Sequence, residues 1–230
     1  MNIQRISAIF EKDMKDFMKN LMLLMMPGIP IILALMYTRM NDEELPVAMI
    51  YIIVGVTFSA VTSSMMMTMM AEENEKKTLR GLIQSPASFL DIIAGKSLVT
   101  GLITFITLVA SLLIVGIEPF LSFRVIVGLI LLFLFFLLLG IGIGLFSKSI
   151  AATSVYMMPV MFLFGFTPMF GLFGLAEDSI VIKVLDTFPV MRAIEIHDTS
   201  SWLPIGIIAV WTIGAAVFTF ICFKKTTTDN

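Results

Sequence analysis

The chain contains 230 residues, of which 58% are hydrophobic and 14% are charged, with a formal net charge of −2 at pH 7. Soluble domains contain about 45–50% apolar and about 25% charged residues, so this composition excludes an ordinary soluble protein and indicates several membrane-spanning helices. The single cysteine excludes an internal disulfide, and the single histidine excludes a Cys/His zinc site, so we expect no metal site.

Residues 1–19 predict a basic amphipathic helix that lies in the membrane interface. Apolar residues recur there at steps of three or four, which places them on one helical face: Ile3, Ile6, Phe10, Met14 and Phe17. The basic residues fall largely on other faces: Arg5, Lys12, Lys15 and Lys19. A helix of this kind directly before a span tends to lie in the headgroup plane. A solvated helical leader is the alternative.

Six apolar stretches are long enough to cross a bilayer, which takes about 20 helical residues. They are residues 21–38, 46–70, 97–117, 124–146, 151–175 and 203–223. Two prolines in the first stretch and two in the fifth predict kinks, because proline has no backbone N–H to donate. These are Pro27, Pro30, Pro159 and Pro168. The sequence therefore predicts an all-α integral membrane protein with six transmembrane helices in one domain, residues 1–230.

The distribution of Lys and Arg predicts the orientation. With the N-terminus inside, the cytoplasmic segments hold eleven of the fifteen basic residues and the outer segments hold four. Because cytoplasmic loops are enriched in Lys and Arg, both termini and the loop 71–96 are predicted to be cytoplasmic.

The longest outer segment, residues 176–202, predicts a re-entrant helical element between spans five and six. Ile180, Val184, Leu185 and Phe188 make a helical stripe before Pro189. An apolar stripe of this kind on an outer loop is expected to fold back against the helix bundle.

The second span carries the residues that best suit a substrate path. No predicted span has Asp, Glu, Lys or His in its middle, which disfavours ion-coupled carriers and proton pumps and is compatible with lipophilic or amphipathic cargo. Hydroxyls and flexible methionines suit varied apolar partners. The assigned residues are Thr57, Ser59, Thr62, Ser63, Met66, Met67, Met70 and Met158. Close helix packing along Gly55, Ser59 and Ser63, with Gly140 and Gly144 on span four, is the alternative.

The stretch 71–96 is the longest polar insertion between two apolar runs, and it predicts a charged helical rod at the membrane surface. Three glutamates at 72, 73 and 75 are placed at the start of a helix, where carboxylates are favoured by the helix dipole. Glu72–Lys76 and Glu73–Lys77 are favourable pairs four residues apart. We expect a partner protein to transmit a force to this rod; a simple solvated connector is the alternative.

Two enzyme-like patterns are rejected. Residues 142–149, GIGLFSKS, have the spacing of a phosphate-binding loop, but Ser147 replaces the required second glycine and the segment ends a membrane helix. The glutamates of EENEK, 72–76, resemble those of intramembrane CAAX-type proteases, but the chain lacks the further histidines that such a site needs. The chain is therefore not expected to be an enzyme.

The loop sequence EENEKKTLRGLIQSP, followed by FLDIIAGKSL, resembles the permease subunits of type-2 ABC transporters. Their loop commonly reads E-x-x-x-x-T-L-x-x-L-x-x-S-P, followed by an acid-I-x-x-G-K segment. The matching residues are Glu73, Thr78, Leu79, Leu82, Ser85, Pro86, Asp91, Ile92, Gly95 and Lys96. Arg80 stands where many members carry Glu. The segment FPVMRAIE, 188–195, is similar to the outer P-x-x-x-A-x-E segment of the family.

The resemblance implies a six-helix subunit that pairs as a homodimer or heterodimer in the lipid of a bacterial cell membrane. It implies separate cytoplasmic ABC ATPase subunits that bind ATP and Mg, with no cofactor on this chain and no nucleic-acid partner. Spans two and five would line the path. The residues that it assigns to ATPase coupling are Glu72, Glu73, Glu75, Lys76, Thr78, Leu79, Arg80, Leu82, Ser85, Pro86 and Lys148.

Together these features predict an ATP-driven exporter of an apolar or amphipathic substrate, such as a peptide toxin, a bacteriocin or a lipophilic antibiotic. Two other classes remain open. A stand-alone secondary carrier would have an intramembrane charge or an internal repeat. A structural or immunity membrane protein would tolerate disruption of the loop 71–96.

Overall fold

The computed structural model of the protein describes residues 3–40, 44–76, 89–173 and 179–228. Within these ranges all regular structure is helical, as predicted. The α-helices are α1 Ile3–Lys19, α2 Leu21–Met25, α3 Gly28–Met40, α4 Val47–Val56, α5 Ser64–Glu75, α6 Phe89–Val115, α7 Phe123–Phe146, α8 Ile150–Val160, α9 Ile180–Leu185, α10 Pro189–Asp198 and α11 Leu203–Thr228. Two π-helical segments, Thr57–Ser63 and Met161–Gly165, and two 3-10 segments, Glu118–Phe120 and Thr167–Phe173, lie between them.

Five helical segments in the described ranges are long and apolar enough to cross a bilayer. They are Leu21–Met40 (span one), Val47–Glu75 (span two), Asp91–Val115 (span three), Phe123–Phe146 (span four) and Leu203–Thr226 (span six). Each coincides with a predicted apolar stretch, and together they confirm a multi-pass membrane protein.

The stretch 151–175 differs from the prediction of one long helix. Its continuous apolar helix covers Ile150–Gly165 and, at about 1.5 Å per residue, is shorter than a hydrocarbon core of about 30 Å. Pro159 lies inside α8 directly before the π-helical turn, and Pro168 lies in the 3-10 segment. Because proline removes a backbone donor, the regular hydrogen-bond ladder fails here. We call Ile150–Gly165 segment five.

Spans four and six run in the same direction along each other. Three α11 threonines spaced by seven residues donate to α7 carbonyls with the same spacing: Thr212 to Leu131 (3.1 Å), Thr219 to Leu138 (2.6 Å) and Thr226 to Leu145 (3.4 Å). Because both series advance together, the helices are parallel. We call the end of the bundle that holds Glu75, Phe89 and Ile150 the loop end, and the opposite end, where α10 packs, the α10 end.

Span two occupies the centre of the bundle. In the 18-residue apolar stretch of span two, 83% of the residues are buried, against 22% in the corresponding stretch of span one. A methyl group on Gly140 would lie 2.6 Å from the carbonyl oxygen of Ser63, so span four packs against the backbone of span two. On another side, α4 approaches the second π-helical segment, where a methyl group on Gly55 would lie 2.1 Å from the carbonyl oxygen of Gly165. The small residues of span two therefore serve close packing.

Helix α1 packs with its apolar face against protein. Ile9, Asp13 and Phe17 are its buried residues, and a methyl group on Gly95 of α6 would lie 2.7 Å from Cγ2 of Ile9. The amphipathic helix thus forms as predicted, but most of the predicted stripe packs against protein: Phe10, Met14 and Phe17 lie in one cluster with residues of spans one, two and three. Ile3, at the end of the stripe, is exposed.

The segment between segment five and span six packs on the bundle through α10. Val190, Ala193 and Ile196 are buried against α4, α7 and α11. The predicted stripe of α9 does not pack in this way, since Ile180 is 80% exposed.

Two residues on the spans hold the backbone of the segment between segment five and span six. Trp211 Nε1 donates to the carbonyl of Thr187 at 2.8 Å. The Arg124 guanidinium donates to the carbonyls of Thr199 and Ser201. Arg124 also lies over the ring of Trp202, 5.7 Å from its centre.

The contact at Gly140 predicts a strong asymmetry between two glycine substitutions. We expect Gly140→Ala to lower stability by about 1–3 kcal/mol, because the added methyl meets the backbone of Ser63. Gly214→Ala on α11 is the matched control, since a methyl there meets no atom within 4 Å. The thermal midpoint of the detergent-purified variants checks this; equal midpoints would contradict the packing described here.

Candidate functional site

The three glutamates of the predicted rod lie at the end of a helix. Helix α5 continues from span two through Glu75, so Glu72, Glu73 and Glu75 occupy its last turn. The prediction that they begin a helix is wrong. Because the helix dipole is negative at this end, carboxylates here need compensating partners. The groups that pair with these three glutamates hold the helices together at the loop end.

Glu72 pairs with Lys76 as the sequence predicted, with Lys76 Nζ 2.5 Å from Oε1 of Glu72. The hydrogen bond and the charge of Glu72 raise the pKa of Lys76 above its ordinary value. Both residues lie at the surface, where water screens the charges, so this pair contributes little to stability. The other predicted pair includes Lys77, which lies outside the described residues.

Glu73 is buried in an ionic network that joins three elements, which we call the loop-base network: Lys12, Asp13, Glu73 and Lys96. Lys96 Nζ is 3.1 Å from Asp13 Oδ2 and 3.1 Å from Glu73 Oε1. Lys12 Nζ, from the half-exposed rim, donates to the same Glu73 oxygen at 2.6 Å. Lys96, Asp13 and Glu73 are only 1%, 2% and 4% exposed. Removing one partner from such a buried pair costs roughly 3–5 kcal/mol.

Burial shifts the pKa values of the two network residues on α1, Lys12 and Asp13. Burial raises the pKa of Asp13 above its ordinary value, and Lys96 opposes that effect only in part. Burial lowers the pKa of Lys12, but the hydrogen bond and charge of Glu73 outweigh it and raise the net pKa. Lys12 is therefore held as the charged form.

A cavity of about 110 Å³ adjoins the network and is lined by its four members together with Asp16, Phe17, Leu23, Met69, Glu72 and Lys76. Three ammonium groups among the carboxylates, those of Lys12, Lys76 and Lys96, make it unsuited to a cation. In the described ranges, no group of three His, Cys, Asp or Glu side chains is placed to hold a metal ion.

Asn74 and Glu75 tie the end of span two to the connection between α7 and α8. Asn74 Nδ2 lies 3.0 Å from the carbonyl oxygen of Leu145 and 3.1 Å from that of Ser147, at the carbonyl end of α7. Glu75 Oε2 accepts from the backbone N–H of Ile150 at 2.8 Å, at the positive end of α8. Exposed Lys148 stands between these two attachments.

The predicted coupling residues thus fall into three groups. Glu72, Lys76 and Lys148 are at or near the surface of the loop end, whereas Glu73 and Glu75 are engaged with neighbouring helices. Thr78, Leu79, Arg80, Leu82, Ser85 and Pro86 lie outside the described residues. Their role in coupling remains a prediction.

The span-two residues assigned to a substrate path lie inside the single subunit. Each has no measurable exposure: Thr57, Ser59, Thr62, Ser63, Met66, Met67 and Met70. Ser59 Oγ donates to the carbonyl of Gly55 at 2.7 Å, and the Thr62 and Thr104 hydroxyls are 2.9 Å apart. Met158 on α8 is 60% exposed. Within one subunit the first seven residues act in packing, and lining of a path remains a prediction for the whole set.

Span two is also anchored at the α10 end. The Tyr51 hydroxyl is 3.1 Å from Nε2 of His197, and Phe120 packs against both rings. Burial lowers the pKa of His197, against an opposing effect of Asp198. The neutral imidazole is therefore favoured beside the buried phenol.

Sequence reasoning missed Asp13, Asn74 and Lys96 as structural partners. One signal was available for Asp13, which shares a helical face with Ile9 and Phe17 and is therefore an acid on an apolar face. Lys96 likewise directly precedes the apolar run of span three. Asn74 carries no distinctive sequence signal.

The Asn74 contacts predict how readily the α7–α8 connection opens. In a Cys222→Ser, Ser147→Cys background, Asn74→Leu should raise maleimide labelling of the cysteine at this buried position about tenfold, because the bonds lost are worth about 1–2 kcal/mol. Thr187→Val removes a side-chain to carbonyl bond at the α10 end and serves as the control. Unchanged labelling in Asn74→Leu would show that Asn74 does not hold this connection.

Comparison with known proteins agrees with this architecture. Residues 4–223 match the family described as ABC-2 family transporter protein, which covers nearly the whole chain. A search of curated proteins found no match. Members of the family are membrane components of transporters and generally work with separate ATPase subunits. This chain belongs to the ABC-2 transporter family and is a multi-pass permease.

Proposed function

We propose that this protein is the membrane subunit of an ATP-driven exporter, with six spans, cytoplasmic termini and separate cytoplasmic ATPases. The observation that carries the proposal is the convergence at the loop end. The segment after α5, which bears the family loop motif, and the connection at Lys148 both adjoin the same end of span two. We therefore expect a partner that docks at the loop end to contact both.

Six crossings are supported by the direction of the helices. Spans four and six are parallel, so the chain returns from the loop end to the α10 end between them. Segment five leaves the loop end at Ile150, and its Phe164 packs against Trp211 of α11. We propose that segment five and the 3-10 segment together make the fifth crossing.

Span two provides the mechanical link between an ATPase and the outer side. It is buried along most of its length, held at the loop end by Asn74 and Glu75 and at the α10 end by Tyr51. Because densely packed helices move as rigid bodies, a displacement of the loop end is transmitted to α10. Closure of the ATPases would thereby rock two paired subunits and open the path outward.

The surface of segment five supports an apolar or amphipathic cargo. Val155, Met158, Phe162 and Leu163 are exposed on it within one subunit. In a dimer with segment five near the axis, these side chains face the path, and the buried methionines of span two become accessible only when the helices separate. An amphipathic peptide or a lipophilic antibiotic fits such a surface, whereas an ion does not.

The orientation predicts opposite labelling of two exposed lysine positions. In a Cys222→Ser background, a membrane-impermeant maleimide added to intact cells should label Lys183→Cys of α9 and leave Lys148→Cys unlabelled. Permeabilised cells should label both. Labelling of Lys148→Cys alone in intact cells would reverse the orientation and remove the basis for cytoplasmic ATPase docking.

The ATPase partner predicts a specific crosslink from the loop end. Single cysteines at Arg80 and at Lys148, carrying a short crosslinker in native membranes, should each capture a protein with a nucleotide-binding P-loop, identified by mass spectrometry. Lys183→Cys is the matched control at the α10 end and should capture none. A folded, abundant protein that captures no ATPase from either cytoplasmic position would leave a carrier or structural role in place of ATP-driven transport.

A further inference from the structure

The loop-base network closes the base of the segment 77–88. Glu73 lies shortly before that segment and Lys96 lies shortly after it, and their charged groups are 3.1 Å apart. Asp13 and Lys12 add a third element, α1, to the same contact. Gly95 lets α1 approach closely, because any side chain there would meet Ile9 and the carbonyl of Ile6. One buried ammonium group thus joins both ends of the loop to α1.

We propose that Lys96 is a positioning residue for the transport cycle, which holds the two ends of the loop 77–88 together so that a force on the loop moves spans two and three. The inference rests on the proposed ATP-driven function. With the base closed, a push on the loop displaces the spans to which it is attached. With the base open, the same push is absorbed by separation of α5 from α6.

The charges of the network allow this role to be separated from simple stability. Two ammonium groups face two carboxylates. Asp13→Asn keeps the Lys96–Glu73 contact and leaves Lys12 on the half-exposed rim, where water solvates it. Asp13→Asn with Lys96→Met removes one charge of each sign and keeps the Lys12–Glu73 pair. Neither variant leaves an unpaired carboxylate in the interior, so both are expected to fold.

The cavity beside the network supports movement at this point. Its volume of about 110 Å³ exceeds the share of about 30 Å³ that one water takes in the liquid. Its walls carry Asp16, Glu72 and Lys76 as well as the network, so water inside it has polar partners. The charged groups can therefore shift position without losing all their hydrogen bonds.

The test uses the permease purified together with its ATPase, with ATP and Mg as the probe. The reporter is Val155→Cys on segment five in a Cys222→Ser background, where Val155 is exposed. The ratio of maleimide labelling rates with and without ATP measures movement of the permease, and phosphate release measures hydrolysis. We expect the unsubstituted network and Asp13→Asn to show a ratio that differs from one by about threefold or more. In Asp13→Asn with Lys96→Met the ratio should fall to about one, while hydrolysis per complex stays within about twofold.

Other outcomes assign the failure to a definite cause. A full labelling response in the double variant overturns the positioning role of Lys96. Parallel loss of folded complex, hydrolysis and response in the double variant is the pattern of a purely structural residue, and the decision then rests on a second variant. Lys12→Met with Glu73→Met opens the loop base from the other side and keeps the Asp13–Lys96 pair. If this variant loses the response with hydrolysis retained, the closed loop base is supported; any other result overturns the inference. Absence of an ATPase and of any response in the unsubstituted protein overturns the proposed function itself.

Discussion

Three carboxylates at the negative end of a helix dipole determine how the loop end is built. Glu72, Glu73 and Glu75 close α5, where their charge is unfavourable unless another element supplies a cation or a backbone N–H. Glu72 forms an ion pair with Lys76, and Glu73 forms ion pairs with Lys96 and with Lys12 of α1. Glu75 accepts a hydrogen bond from the backbone N–H at the start of α8. Each glutamate thus recruits a different neighbour, and the separate segments at this end become one body centred on span two.

The sequence predicts most of the helical architecture and less of its internal contacts. Hydropathy is a property of continuous stretches, so the sequence places the ends of five spans within a few residues of their ends in the structure. Pro159 and Pro168 do mark the fifth stretch as irregular, but they do not reveal that its π-helical turn ends in a close contact between Gly165 and Gly55, which lie far apart in the chain. The charged composition of Glu72–Glu75 differs from that of span two and so suggests a new helix, although the backbone continues without a break.

The loop-base network shows why the candidate site was only partly visible. Asp13 and Lys96 are 83 positions apart, and a charged residue in an amphipathic helix is ordinarily solvated. The Glu72–Lys76 pair is predictable because it depends only on local spacing. The threonine series on α11 could have been recognised from the sequence, since Thr212, Thr219 and Thr226 repeat every seven residues and mark one helical face. The buried hydroxyls of Thr57, Ser59 and Thr62 were expected near a path, and in one subunit they donate to backbone carbonyls or pair with a neighbouring threonine instead.

Three residues that flank α10 are held in a way that leaves their own side chains free to differ. Trp211 and Arg124 bind the carbonyl oxygens of Thr187, Thr199 and Ser201, and every amino acid supplies a carbonyl. These attachments therefore depend on the identity of two residues on the spans and hardly on the identity of the three residues that they bind, whereas α10 itself is held by its buried side chains. At these three positions the segment can acquire new side chains without losing its place, so the surface chemistry of the α10 end can change while the fold is kept.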